Sequence, residues 1–390
     1  MSKKPLSLLL IASFCSLAAC SHRVNTQSQS STREQTPASW SEASQGQNKK
    51  ISSGWLDDFN APEMQKLVHE ALNNNPNLNA AAARLRASKE GTIGAQADLL
   101  PTLRTSGGTT QSRIGNGDKD SFSTENYNLR LNAAWEPDLW GRLRDLRDAS
   151  LSGYHAQIQE YRGARLSLAA NTARAWCDLI TAQKQVELAE TILSSFNKNN
   201  AIVERNYKAG VPGTRAIDVQ FSRNNVASAQ RTLKSRTQSR SEAARALEQL
   251  LGRYPSASIF TQSNLPKLKK NPPAGLPSEL LIRRPDLAAA QNRVFQSAMQ
   301  ANAAQKNLLP NLSLTASLST NNATVGNIFD PNFIAANAAA SLTQNIYRGG
   351  ELRADARAAL ARNKASIYDF SNLAINAFRE VENALAADRS

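Results

Sequence analysis

From Leu151, steps of seven read Leu151, Ile158, Arg165, Thr172, Leu179, Val186 and Leu193. A second row, three residues on, reads Tyr154, Tyr161, Leu168, Ala175, Ala182, Ala189, Phe196 and Val203. The second row has no polar member, which is the seam of a coiled coil rather than the stripe of a globular helix. No proline interrupts 141–207. At 1.5 Å per residue, such a stretch predicts a rod on the order of 100 Å long. Two or three stacked bundle helices are the alternative reading. A rod of that length must find partner helices along it, and the rest of the chain is read against that need.

Two helices are predicted ahead of the rod. One runs from about Pro62 towards Asn73 and is broken by Asn73-Asn74-Asn75-Pro76; the next runs from Pro76 to about Leu100, before Pro101. The period then changes to two. Leu103, Thr105, Gly107 and Thr109 alternate with polar or small neighbours, a Gly115-Asn116-Gly117-Asp118 turn follows, and Tyr127, Leu129, Leu131, Ala133 and Trp135 alternate in the same way. Segments of about ten residues with one apolar and one polar face are the pattern of a membrane β-hairpin. A small soluble hairpin is the alternative, although two strands alone are marginal in water. Beyond the rod, Gly210 and Gly213 flank Pro212 in a turn, and a return helix is predicted from about Ala216 to Leu251. Residues 252–276 form a Pro-rich connector.

The pattern repeats. Asn75-Pro76-Asn77-Leu78 to Arg284-Pro285-Asp286-Leu287 is a step of 209, and so is Leu99-Leu100-Pro101 to Leu308-Leu309-Pro310. Alternating segments at 312–318 and 333–346 fall where the first pair predicts them. The chain therefore reads as an internal duplication. Residues 54–251 are the first copy (helix, β-hairpin, long helix, tip turn, return helix), and 277–390 a second copy that lacks the counterpart of 182–250. The fold expected from these periods is mainly α, with long coiled-coil helices and four membrane-type β-strands.

Composition changes the picture at the N-terminus. Lys3 and Lys4 precede an apolar run from Leu6 to Leu17, then Leu17-Ala18-Ala19 and Cys20. Residues 1–19 are a secretory signal, too short for a permanent span. The small residues before Cys20 resemble the bacterial lipobox, which makes Cys20 the lipid-attachment residue; ordinary cleavage beside an incidental cysteine is the alternative. Ser21, where an Asp would signal inner-membrane retention, points to the outer membrane. Residues 20–53, rich in Ser, Gln, Asn and Thr, read as a lipid-anchored flexible tether. The net charge of +14 is spread along helices beside acids, with no interleaved aromatics, so no nucleic-acid partner is expected. His22, His69 and His155 lack the spacing of a metal site, and no phosphate loop or nucleophile elbow occurs. No metal, cofactor or enzymatic activity is expected beyond the covalent lipid on Cys20.

Taken together, Trp55…Phe59, Asn75-Pro76-Asn77-Leu78, Leu99-Leu100-Pro101, Trp135-Glu136-Pro137-Asp138-Leu139-Trp140-Gly141-Arg142, the turn from Tyr207 to Val219, Arg283-Arg284-Pro285-Asp286-Leu287 and Gln344-Asn345-Ile346-Tyr347-Arg348-Gly349-Gly350 resemble the outer-membrane efflux protein family, the TolC/OprM/NodT-type outer-membrane factors. To the mainly α fold the resemblance adds a β-barrel part and a long coiled-coil α-helical barrel. It implies a homotrimer with four transmembrane β-strands per protomer in a shared twelve-stranded barrel, and a periplasmic helical tunnel. It also implies passive export, with an inner-membrane pump and a periplasmic adaptor (membrane fusion protein) docking at the helical tip. It places a gate at Arg215 and Asp218, just past the tip turn of Gly210 and Gly213; as residues, the two equally suit a helix start, where Asp218 is favourable. Two further readings stay open: a truncated, non-conducting outer-membrane lipoprotein, which the incomplete second copy suggests, and a structural periplasmic coiled-coil protein without a barrel, against which the four alternating segments argue.

Overall fold

The computed structural model describes residues 37, 40–41, 54–116, 120–268 and 275–389. After a 3-10 turn at Trp55–Phe59, the elements in chain order are α1 (Pro62–Asn74), α2 (Pro76–Ala97), β1 (Thr102–Asn116), β2 (Asp120–Trp135), α3 (Arg142–Lys208), α4 (Ala216–Leu250), α5 (Pro277–Arg283), α6 (Pro285–Lys306), β3 (Asn311–Asn322), β4 (Ile334–Thr343) and α7 (Glu351–Arg389). Two compact units result. One comprises Arg86–Ile158 and Leu281–Glu380; the other comprises Ala38–Leu85, Gln159–Leu280 and Val381–Ser390, as far as these are described.

The breaks follow from local chemistry. Pro76 and Pro285 open α2 and α6, where a missing N–H costs nothing. Asn75 stops α1 with an extended backbone and caps α2, its Oδ1 accepting from the N–H groups of Asn77 (2.9 Å) and Leu78 (3.1 Å). Its Nδ2 donates to the carbonyl of Leu250 at 2.9 Å, tying the break to the end of α4. α2 ends at Ala97 rather than Leu100. Leu99 and Leu100 bond back to Gln96 and Ala97 in a tightened turn, because Pro101 disfavours helix in the residue before it.

In the second unit, α3 and α4 run antiparallel. Glu204 meets Arg223 at one end, Gln185 meets Arg236 further along, and Trp176, Leu179 and Ile180 share a core with Ala244 and Leu247. Met64, Val68 and Ala71 of α1 and Leu78 of α2 complete that core. No member of the Tyr154 row is exposed, whereas Leu151 and Arg165 of the other row are. The largest fully buried side chain, Trp176, lies off both rows, because this stretch of α3 shares its core with α1 as well as α4. Beyond α4, Glu248 is 1% exposed. It accepts from the backbone N–H groups of Ala257 (2.7 Å), Ser258 (2.8 Å) and Ile259 (3.0 Å), pinning the start of the connector. Burial pushes this carboxyl up, but the three N–H donors and the Ser258 hydroxyl outweigh it, so it titrates below its ordinary 4.5. Within the span read as tether, Trp40 is buried and donates to the Gly275 carbonyl at 3.0 Å, and Ser41 bonds Glu382. A large aromatic with a polar N–H gains by packing.

In the first unit, the four strands form one antiparallel sheet in the order β1-β2-β3-β4. β1, β2 and β3 are longer than the alternation alone marks, whereas β4 is shorter at both ends and stops at Thr343, leaving Ile346 and Tyr347 outside it and exposed.

Candidate channel wall and helical turn

The register sorts the sheet into two chemically different faces. On one, Leu103, Ala133, Ala316 and Ala338 stand side by side across the four strands. The row above is Thr105, Leu131, Leu318 and Ala336, and then Gly107, Leu129, Thr320 and Ile334; below stand Trp135, Leu314 and Ala340, then Leu312 and Leu342. The other face carries Arg104, Asn132, Ser317 and Asn337 in one row and Ser106, Arg130, Ser319 and Ala335 in the next. Every residue of β4 is exposed. One apolar and one polar face, on strands of ten to sixteen residues, is what a wall between lipid and water requires.

The sheet passes into α3 through Trp135-Glu136-Pro137-Asp138-Leu139-Trp140-Gly141-Arg142. Asp138 caps α3, its carboxylate accepting from the N–H groups of Leu143 (3.1 Å) and Arg144 (2.9 Å) and from the Arg144 guanidinium (3.2 Å). Burial pushes Asp138 up, yet these donors and the positive charge hold it below the usual carboxylate range. Trp135 donates to the carbonyl of Leu99 at 3.0 Å and Trp140 to that of Pro310 at 2.6 Å. Lys306 joins Asp145 at 2.6 Å and the Gly141 carbonyl at 3.1 Å. Both Leu-Leu-Pro segments are thus stitched to the strand-helix joint by a tryptophan N–H.

Gly210 (φ +68°) and Gly213 (φ +91°) take left-handed conformations in the turn between α3 and α4. Open space surrounds both, so backbone conformation and not crowding calls for glycine there. Arg215 and Asp218 are brought together, with each other. The Arg215 N–H donates to Asp218 at 2.8 Å while the guanidinium stands 3.4 Å away, so the Asp218 carboxylate accepts both at the start of α4. The Arg215 backbone N–H, and then its guanidinium, keep Asp218 below the usual carboxylate range. The Arg215 side chain remains 77% exposed. The ion pair that joins the two helices near the turn is Glu204–Arg223, at 2.8 Å, and neither residue is marked by the heptad rows. The Arg223 hydrogen bond, seconded by Asn200, holds Glu204 down. Cys20 lies outside the described residues.

A sheet with one lipid-compatible face, continuous with helices far longer than a globular core needs, defines an outer-membrane channel protein. The chain belongs to the outer membrane efflux protein family, whose model matches residues 67–253 and 276–388. It is 30% identical over 358 residues to outer membrane protein OprJ of Pseudomonas aeruginosa, covering 90% of this chain and 74% of that protein. Identity to the cation efflux system protein CusC of Escherichia coli is 28% over 347 residues, covering 87% of this chain and 73% of that protein. The solved structure of the outer-membrane channel OprN matches with a TM-score of 0.79 at 26% identity, covering 90% of this chain and 81% of that one. The protein is an outer-membrane component of an efflux system.

Proposed function

We propose that three copies of the chain close their sheets into one twelve-stranded barrel, continuous with a periplasmic duct of helices. The duct receives substrate from an inner-membrane pump through a periplasmic adaptor that docks at the turn carrying Gly210 and Gly213. The observation that carries this reading is the four-stranded sheet with β1 and β4 at its edges. Unpaired edges cannot persist in hydrocarbon, and four strands are too few to close on themselves, so further copies must supply the missing neighbours. Residues 54–251 and 277–390 then act as two copies of one hairpin-and-helix unit, each giving two strands to the wall. Cys20 bears the acyl chains that add an anchor to the barrel's own hold on lipid. Arg215 and Asp218 stand where opposed protomers would converge, and the exposed guanidinium is available to a neighbouring chain.

Purified protein added to planar lipid bilayers tests this reading. Discrete conductance steps from a trimeric species are expected. A folded monomer that never conducts would remove the channel.

A further inference from the structure

We infer that the polar face of the sheet forms a cationic girdle inside the barrel, built by Arg104 and Arg130, that favours anionic solutes. This rests on the closed-trimer reading above and adds to it the charge of the preferred cargo. Arg104 pairs with Asn132, and Arg130 with Ser106. The two guanidinium-bearing residues therefore sit diagonally on adjacent strands, in successive rows about 7 Å apart along the strand. Their rows are otherwise Asn132, Ser317 and Asn337, and Ser106, Ser319 and Ala335, all uncharged. From Thr102 to Ser112, from Thr124 to Ala134 and along β3 and β4, this face carries no carboxylate. Glu125 stands on the opposite face, beside Gln111 and Tyr127. Arg104 and Arg130 are exposed, and neither forms an ion pair among the described residues.

Size decides whether two such residues per subunit matter. Twelve strands about 4.8 Å apart and tilted about 40° enclose a backbone circumference of about 75 Å, a radius of about 12 Å. The Debye length at 0.1 M salt is about 10 Å. With guanidinium groups reaching inward from the wall, no ion on the barrel axis escapes their field. Rings of Arg or Lys are the arrangement by which pores favour anions. A pair of exposed arginines balanced by acids would have no such effect, and here no acid stands on this face within three rows of either arginine.

Two measurements test the girdle. In bilayers under a KCl gradient, the reversal potential is expected to report a several-fold preference for chloride over potassium, falling towards unity in the double variant Arg104→Gln, Arg130→Gln. In proteoliposomes, Asn132→Cys in a Cys177→Ser background reports the same face without requiring conduction. A water-soluble anionic thiol reagent should label it several-fold faster than a cationic reagent of equal size, and the difference should vanish with both arginines replaced. Ready labelling that is blind to reagent charge, or a cation-preferring pore, overturns the girdle and leaves the channel standing. A residue at 132 that neither reagent reaches overturns both, because the polar face would not line water.

Discussion

Tyr127 and Trp135 stand eight residues apart on the apolar face of β2, with Leu129, Leu131 and Ala133 between them. That span is about 26 Å along the strand, or about 20 Å of bilayer depth at a tilt of 40°. The row of Leu312 and Leu342 extends the apolar band by one further step, to about 25 Å, the height of the hydrocarbon-facing band in such barrels. Tyr127 at one margin and Trp135 one row inside the other, with small and aliphatic side chains between, set the depth at which the wall sits.

Leu131 lies at the middle of that band, opposite Leu318. Leu131→Arg is expected to destabilise the folded barrel by about 2–4 kcal/mol, the cost of a guanidinium at the bilayer midplane. Asn132→Arg, one residue on and facing the other way, is expected to be near neutral. Denaturant unfolding of both variants in lipid vesicles checks this; equal losses would mean that the faces are wrongly assigned.

Glu248 supplies the acceptor for three consecutive N–H groups of the connector. Glu248→Ala takes the acceptor from those half-buried donors and is expected to cost about 1–2 kcal/mol. Because folding lowers this carboxyl below 4.5, its contribution is complete above that value and is lost as pH falls through the lowered one. The wild-type melting temperature should hold steady above about pH 5 and drop below it. Glu248→Gln should start lower at neutral pH and lose less on acidification. Parallel pH profiles of the two proteins would contradict the assignment.

Asp218 accepts from Arg215 at the exposed start of α4, a local contact that steadies the helix's first turn. If the pair also restrains the duct, Arg215→Ala and Asp218→Ala should both raise single-channel conductance, well beyond what a frayed first turn produces. Wild-type conductance in both variants would reduce the pair to that local contact.

Cys20→Ala should abolish incorporation of labelled palmitate while the barrel still directs the chain to the outer membrane. Continued labelling would place the acyl chains elsewhere.

Much of this fold is legible in the sequence because its periods are simple. The step of two that marks Leu103 to Thr109 and Tyr127 to Trp135 survives as two strands of one sheet, and Pro76 and Pro285 open helices as proline at a first position should. Other features depend on neighbours that no period encodes. Trp176 and Ile180 escape the heptad rows because α3 packs on more than one helix there. Glu248 reads as one more acid on a helix, since its partners lie in an irregular segment without a motif. Arg215 and Asp218 could be singled out, but spacing cannot tell a partner three residues away from one on another chain. Arg104 and Arg130 become neighbours only through the register of β1 with β2, and the emptiness of acids around them emerges only when all four strands are aligned.

The claim that carries the rest is closure by three chains, and subunit count tests it most directly. Native mass spectrometry of the protein released from lipid nanodiscs should give a species of three times the subunit mass, without a stable monomer. A monomer that keeps its strands folded and protected from hydrogen exchange would contradict it, because one chain would then have closed or shielded both sheet edges alone.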